Sequence, residues 1–102
     1  MKVEWSYEAQ CEFNDFLNYY KVNAGLPYAQ KFSKMIRDEV RKLAQFPEMG
    51  VLREDTILGK HGFRALFIRQ YACIYKIEED TVFVYHLADA RRNYLYNIFG
   101  LA

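Results

Sequence analysis

Phe63-Arg64-Ala65-Leu66-Phe67-Ile68-Arg69, Tyr71-Ala72-Cys73-Ile74-Tyr75-Lys76-Ile77 and Thr81-Val82-Phe83-Val84-Tyr85-His86-Leu87 follow one another as three runs of aromatic and β-branched residues. Such side chains fit a pleated, half-buried surface, so the runs predict three consecutive strands. Glu78-Glu79-Asp80 has the length and polarity of a hairpin loop, which makes the last two strands antiparallel neighbours.

Upstream of the strands the period changes. Phe32, Met35, Ile36, Val40 and Leu43 recur at the helical spacing, while Lys31, Lys34, Arg37, Asp38, Arg41 and Lys42 fill the opposite side. This predicts a helix from Pro27 to about Phe46. Ala9, Phe13, Phe16, Leu17 and Tyr20 share one face of an earlier helix that runs to about Asn23, with Ser6 placed to cap it and Glu8 in its first turn. Ala24-Gly25-Leu26-Pro27 separates the two, because Gly suits a helix exit and Pro a helix start. A short link between amphipathic helices predicts an antiparallel hairpin. Lys2-Val3-Glu4-Trp5-Ser6 alternates polar and apolar and reads as a first strand. Val51–Gly62 reads as a loop with at most one short strand, and residues 93–102 as a short frayed or helical end.

The resulting order is β-α-α-β-β-β. It predicts an α+β fold in which a helical hairpin covers one face of a curved, mainly antiparallel sheet and leaves the other face partly open. The 102 residues are read as one domain, since a chain this short supports a single core. Hydrophobic residues make up 52% and charged residues 26%, a globular composition that excludes a disordered chain.

Fourteen Lys and Arg against thirteen Asp and Glu leave a formal charge of +1, so any nucleic-acid surface must be local. Cys11 and Cys73 have neither CxxC nor zinc-ligand spacing and are expected as two buried thiols; no metal site is expected. Neither a P-loop nor a GxGxxG occurs, and no cofactor is expected. The sequence lacks an apolar run long enough to span a bilayer and a secretory signal, which suggests a cytoplasmic protein with no membrane partner.

Polar chemistry concentrates in His86-Leu87-Ala88-Asp89-Ala90-Arg91-Arg92-Asn93-Tyr94, directly after the last strand. Two adjacent arginines with an imidazole and a phenol can clamp a phosphate and exchange a proton, as cleavage of RNA by its own 2′-hydroxyl requires. The same residues can equally form an ion pair from Asp89 to an arginine that fixes the strand exit. His86 shares strand parity with Val82 and Val84, although the opposite phase is equally open, and a structural histidine is the commoner outcome. Arg64 and Arg69 lie five positions apart and fall on opposite faces of a regular strand, so at least one must reach an open face or an edge. Lys60 and His61, between Gly59 and Gly62, form either a plain turn or a phosphate contact.

In its ordered set of residues the chain resembles the RelE/ParE superfamily of bacterial type II toxin–antitoxin toxins. The likeness rests on Val3-x-Trp5-Ser6 followed by Ala9 and Phe13, and on the helix exit Phe46-Pro47-x-x-Gly50. It continues through Phe63-Arg64 with Tyr71-x-x-x-Tyr75-x-Ile77, then Val82-x-Val84 and Asp89-x-Arg91-Arg92-Asn93. The resemblance implies a growth-arresting toxin, in the manner of plasmid-stabilization systems, with a cognate antitoxin as partner. One branch inhibits DNA gyrase and is not an enzyme; the other cleaves mRNA on the ribosome. Likeness to the nuclease branch carries Arg64, Arg91 and Tyr94 over as catalytic residues, but Asn93 stands where several of those enzymes have a histidine, which leaves His86 as the substitute acid or base.

Residues 53–102 hold seven Lys and Arg against six Asp and Glu, a weak field for ribosomal RNA. The reading therefore leans to ParE-like gyrase inhibition, with a RelE-like mRNA endoribonuclease as the alternative and a non-toxic, antitoxin-binding regulator of the operon as a second. Arg69, Arg92, Lys60 and His61 are the expected target or phosphate contacts, and Tyr19, Tyr20 and Tyr28 the expected antitoxin contacts.

Overall fold

A computed structural model describes residues 1–92. Strand β1 (Lys2–Trp5) leads into helix α1 (Tyr7–Asn23), and α2 (Leu26–Arg41) ends in a 3-10 turn, Lys42–Ala44. A short helix α3 (Ile57–Lys60) precedes strands β2 (Phe63–Ile68), β3 (Tyr71–Glu78) and β4 (Thr81–Asp89). The sheet order is β1-β4-β3-β2, with β1 parallel to β4 and the other pairs antiparallel. This is the α+β arrangement expected from the sequence.

Local chemistry sets the boundaries as anticipated at the first helix. The Ser6 hydroxyl accepts from the Ala9 amide at 3.0 Å and caps α1. Gly25, at a φ of 92°, makes the turn between the helices in a conformation that other residues rarely adopt. Helix α2 is shorter than its apolar pattern suggests, because the chain tightens into the 3-10 turn while Leu43 stays buried. The expected loop at 51–62 is more ordered than its weak pattern indicated. Val51 bridges Ala65, and Thr56 caps α3 by accepting from the Gly59 amide while donating to the Arg53 carbonyl. Four residues are too few for an amphipathic period to show.

Ala9, Phe32, Ile36, Val40 and Leu43 pack against Leu66, Ile68, Tyr71, Cys73, Tyr75, Val82, Val84 and Leu87 in one core. The second face of the sheet is less open than expected. Tyr71 through Tyr75 are five consecutive buried residues, so β3 is covered on both sides, although Phe67 on β2 remains exposed.

Two residues lock the connection from α2 to β2. The Tyr75 hydroxyl donates to the Pro47 carbonyl at 2.7 Å and accepts from the Gly50 amide at 2.8 Å, while Arg64 Nη1 donates to the Gly50 carbonyl at 3.0 Å. Tyr75 and Arg64 are cross-strand partners, so one rung of the sheet holds the whole Phe46-Pro47-x-x-Gly50 turn. A Cβ on Gly50 would lie 2.6 Å from the Tyr75 ring and hydroxyl. Tyr75→Phe strands a buried amide and removes the carbonyl's donor, and is expected to lower unfolding stability by about 1–3 kcal/mol. Gly50→Ala is expected to cost at least as much by displacing the ring. Chemical denaturation of the three proteins checks both; equal midpoints would show that the turn is not held this way.

Candidate functional site

Strand β4 has different neighbours along its length. Its first residues pair with β1, from Lys2 opposite Thr81 to Trp5 opposite Val84. Beyond Val84 the register against β3 shifts: Tyr75 faces Val84, but Ile74 faces His86, which leaves Tyr85 as the extra residue of a bulge. The chain of β1 has by then turned into α1, whose residues take over the exposed edge. Ser6 donates its amide to Val84 O at 2.8 Å and its hydroxyl to Tyr85 O at 2.9 Å. Further along α1, Glu12 Oε1 accepts from the Leu87 amide at 3.1 Å and lies 3.2 Å from His86 Nδ1. The edge is thus satisfied by one backbone amide and two side chains instead of a strand.

An open groove of about 760 Å³ lies between this stretch of β4 and α1. Its α1 wall carries the carboxylates of Glu8, Glu12 and Asp15 and the rings of Phe16, Tyr19 and Tyr20; its other wall carries His86, Asp89, Arg91 and Arg92. At the inner end Tyr20 and Tyr71 share a hydroxyl–hydroxyl hydrogen bond. Burial first, and that bond second, push the Tyr71 phenol far above its usual value, so it stays protonated and acts as a hydrogen-bonding group.

Asp89 and Arg91 form a bidentate pair at 3.0 and 2.7 Å, and Asp89 Oδ1 also accepts from the Arg91 amide at 2.9 Å. The Arg91 hydrogen bond is the largest cause that holds the Asp89 carboxyl below the ordinary aspartate value. Of the two sequence readings, the strand-exit ion pair is therefore what this segment forms. Arg92 lines the groove.

Other expected site residues lie elsewhere. Arg64 sits on β2 with its guanidinium turned to the Glu48 and Gly50 carbonyls, and Lys60 and His61 end α3 on an exposed turn. Arg69 is not on the strand at all: it occupies the β2–β3 turn with a φ of 54°. The face argument built on its five-residue distance from Arg64 does not apply. The bulge at Tyr85 likewise breaks the parity that linked His86 to Val84; Leu87 takes the core position instead. Tyr94 lies outside the described residues. Tyr19 and Tyr20 do line the groove, whereas Tyr28 touches it only through its ring contact with Tyr20. Of the two cysteines, one meets the expectation of a buried thiol and one does not. Cys73 is buried, and desolvation pushes its thiol up to about 12, but Cys11 is only partly buried and lines the groove.

The signal that sequence reading missed is Glu12. It stands one helical turn from Glu8 and on the edge of the apolar stripe of α1, where a carboxylate needs a buried donor to justify its place.

Comparison with known proteins bears on the same segments. A family profile described as the ParE toxin of type II toxin-antitoxin system, parDE, matches residues 3–94. The chain belongs to the ParE toxin family. Its fold is similar to that of a solved structure titled "Chromosomal ParDE TA system from P. aeruginosa", with a TM-score of 0.75 at 19% identity, covering 87% of this chain and 95% of that one. No curated protein is a significant match. Among the described residues, no helix of this ParE-family toxin is long and apolar enough to cross a membrane.

Because the folded pKa of Asp89 is lowered, its pairing with Arg91 stabilises the toxin fully above the unfolded aspartate value, about 3.9, and is lost as pH falls through the lower folded value. Asp89→Asn keeps a side-chain oxygen to accept from the Arg91 amide and removes the charge. The variant is expected to melt below the wild type at neutral pH, with the difference shrinking below about pH 3.9. Thermal melts from neutral to acid pH measure this, and a gap that stays constant with pH would assign the loss to something other than charge.

Proposed function

We propose that this toxin of a type II toxin–antitoxin system arrests growth by inhibiting DNA gyrase, without cutting RNA, and is silenced when its cognate antitoxin covers the groove between α1 and β4. Membership of the ParE family supports a toxin with an antitoxin partner. The single observation that favours a non-nuclease action is the separation of Arg64 from the groove. Its guanidinium is spent on the Gly50 and Glu48 carbonyls, while His86 and Arg91 line a groove that Arg64 does not reach.

Transition-state stabilisation of a phosphodiester cleavage needs cationic donors converging on one phosphate together with an acid or base. Arg91 is engaged by Asp89, and His86 Nδ1 lies 3.2 Å from a carboxylate, Glu12. Three further carboxylate-bearing positions, Glu8, Asp15 and Asp89, line the same groove and oppose entry of a polyanion. The aromatic and mixed-charge walls suit a peptide segment, and Tyr19, exposed at 61%, offers a ring at the groove margin.

Two assays separate the readings. Purified toxin is expected to reduce supercoiling by purified gyrase, with protein synthesis continuing in the first minutes after induction in cells. Arg64→Ala is expected to lower stability by about 1 kcal/mol through its lost turn contacts and yet to preserve arrest. If instead supercoiling is untouched at every dose and folded R64A no longer arrests growth, the nuclease reading takes its place. Expression without any arrest would leave the binding-only role.

A further inference from the structure

The two helices of the hairpin carry opposite charge. Helix α1 bears Glu8, Glu12 and Asp15 against Lys21, whereas residues 31–42 bear Lys31, Lys34, Arg37, Arg41 and Lys42 against Asp38 and Glu39. In a chain whose formal charge is only +1, the positive excess of this short segment is balanced by negative charge elsewhere. All five cations are exposed, and Lys34 and Arg41 keep more than two-thirds of their side-chain surface in solvent. Phe32, Ile36 and Val40 face the core, and at about 100° per residue Lys31, Lys34 and Arg41 fall on the far side of the helix.

The carboxylates do not cancel this face. Asp38 sits 2.5 Å from Lys34 and 3.7 Å from Arg41, and Glu39 lies 2.8 Å from Lys42. Exposed pairs of this kind contribute little and exchange readily for another anion. Lys31 takes part in none of these pairs, and Arg37 is held only by its Nε bond to the Ser33 carbonyl at 3.3 Å.

A helical segment of this length extends about 17 Å, and duplex DNA presents one phosphate charge for about every 1.7 Å of its axis. No exposed aromatic residue is interleaved among the cations, so the face lacks the stacking platforms by which single strands are held. A convex rod of point charges matches a duplex backbone. The groove draws its walls from α1 and the end of β4, and no residue of α2 lines it, so the cationic face is a surface separate from the groove.

We propose that the outer face of α2 is a binding surface for the phosphate backbone of duplex DNA, used without sequence preference. The choice of DNA over RNA rests on gyrase as the target; the duplex contact itself does not. Fluorescence anisotropy of a labelled DNA duplex titrated with the whole toxin tests it. With three net positive charges the affinity is expected to fall about fortyfold between 50 and 200 mM salt, a log–log slope of about −2.7. K31Q/K34Q/R37Q leaves two cations against two carboxylates, and its slope is expected near zero with an unchanged circular dichroism spectrum.

Lys31→Gln alone is expected to reduce the slope by about 0.9, which keeps the test open if the triple variant does not fold. Failure to bind the duplex at low salt, a slope unaltered by the substitutions, or tenfold preference for an RNA duplex each overturn the proposal. A toxin that binds duplex DNA but leaves gyrase unaffected retains this surface and overturns only the target.

Discussion

The groove exists because β4 outruns its partner. Strand β1 stops at Trp5, opposite Val84, and the five further residues of β4 would present an unpaired edge if nothing replaced it. Ser6 and Glu12 perform that replacement with three hydrogen bonds from side chains and one backbone amide, to Val84, Tyr85 and Leu87. A helix cannot lie as close to a strand as a second strand does, because its side chains hold its axis away from the ladder. The space left between α1 and β4 is the groove. One partly buried carboxylate, Glu12, therefore both seals the edge and forms part of the wall that a partner would meet.

The bulge at Tyr85 belongs to the same arrangement. An extra residue on β4 turns the Tyr85 carbonyl out of the β3 ladder and toward the Ser6 hydroxyl, which at the same time caps α1. Sheet edge and helix start are thus tied through a single hydroxyl. The bulge also moves Leu87 onto the core face and sets His86 opposite Ile74, within reach of Glu12. At the other side of the sheet, Tyr75 and Arg64 do for the α2–β2 turn what Ser6 and Glu12 do for the β4 edge: polar tips of sheet residues satisfy backbone groups of a loop.

How far the sequence disclosed this can be judged residue by residue. The three C-terminal strands and both long helices were legible because they are periodic over many residues, and Ser6 and Gly25 were legible because capping chemistry is local. The bulge was not, since no glycine or proline marks it and only the pairing of β3 with β4 reveals the slip. Parity reasoning about His86 failed for that reason, and the face argument for Arg69 failed because a turn claims it at positive φ. His86, Arg91 and Arg92, grouped by their nearness in sequence, do line one groove. Tyr19 and Tyr20, expected for a separate role, line the same groove, which no spacing rule connects to residues so far along the chain. Arg64 was singled out as a strand arginine, but its engagement with Gly50 depends on a turn whose path is set by Tyr75.

Charge segregation within the hairpin follows from what each helix must cover. Helix α1 crosses the β4 edge, where main-chain donors point outward and favour carboxylates such as Glu12. Helix α2 buries Ala29 and its Phe32-Ile36-Val40 stripe, leaving its solvent-facing sides without a structural demand on sign. Fold stability alone would be served by mixed charge along that helix, as the Lys34–Asp38 and Lys42–Glu39 pairs illustrate. The cationic excess beyond those pairs is not needed for folding and raises self-repulsion within the helix. A surface that carries such a cost in a chain otherwise balanced in charge is better explained by what it meets in solution than by what it holds together.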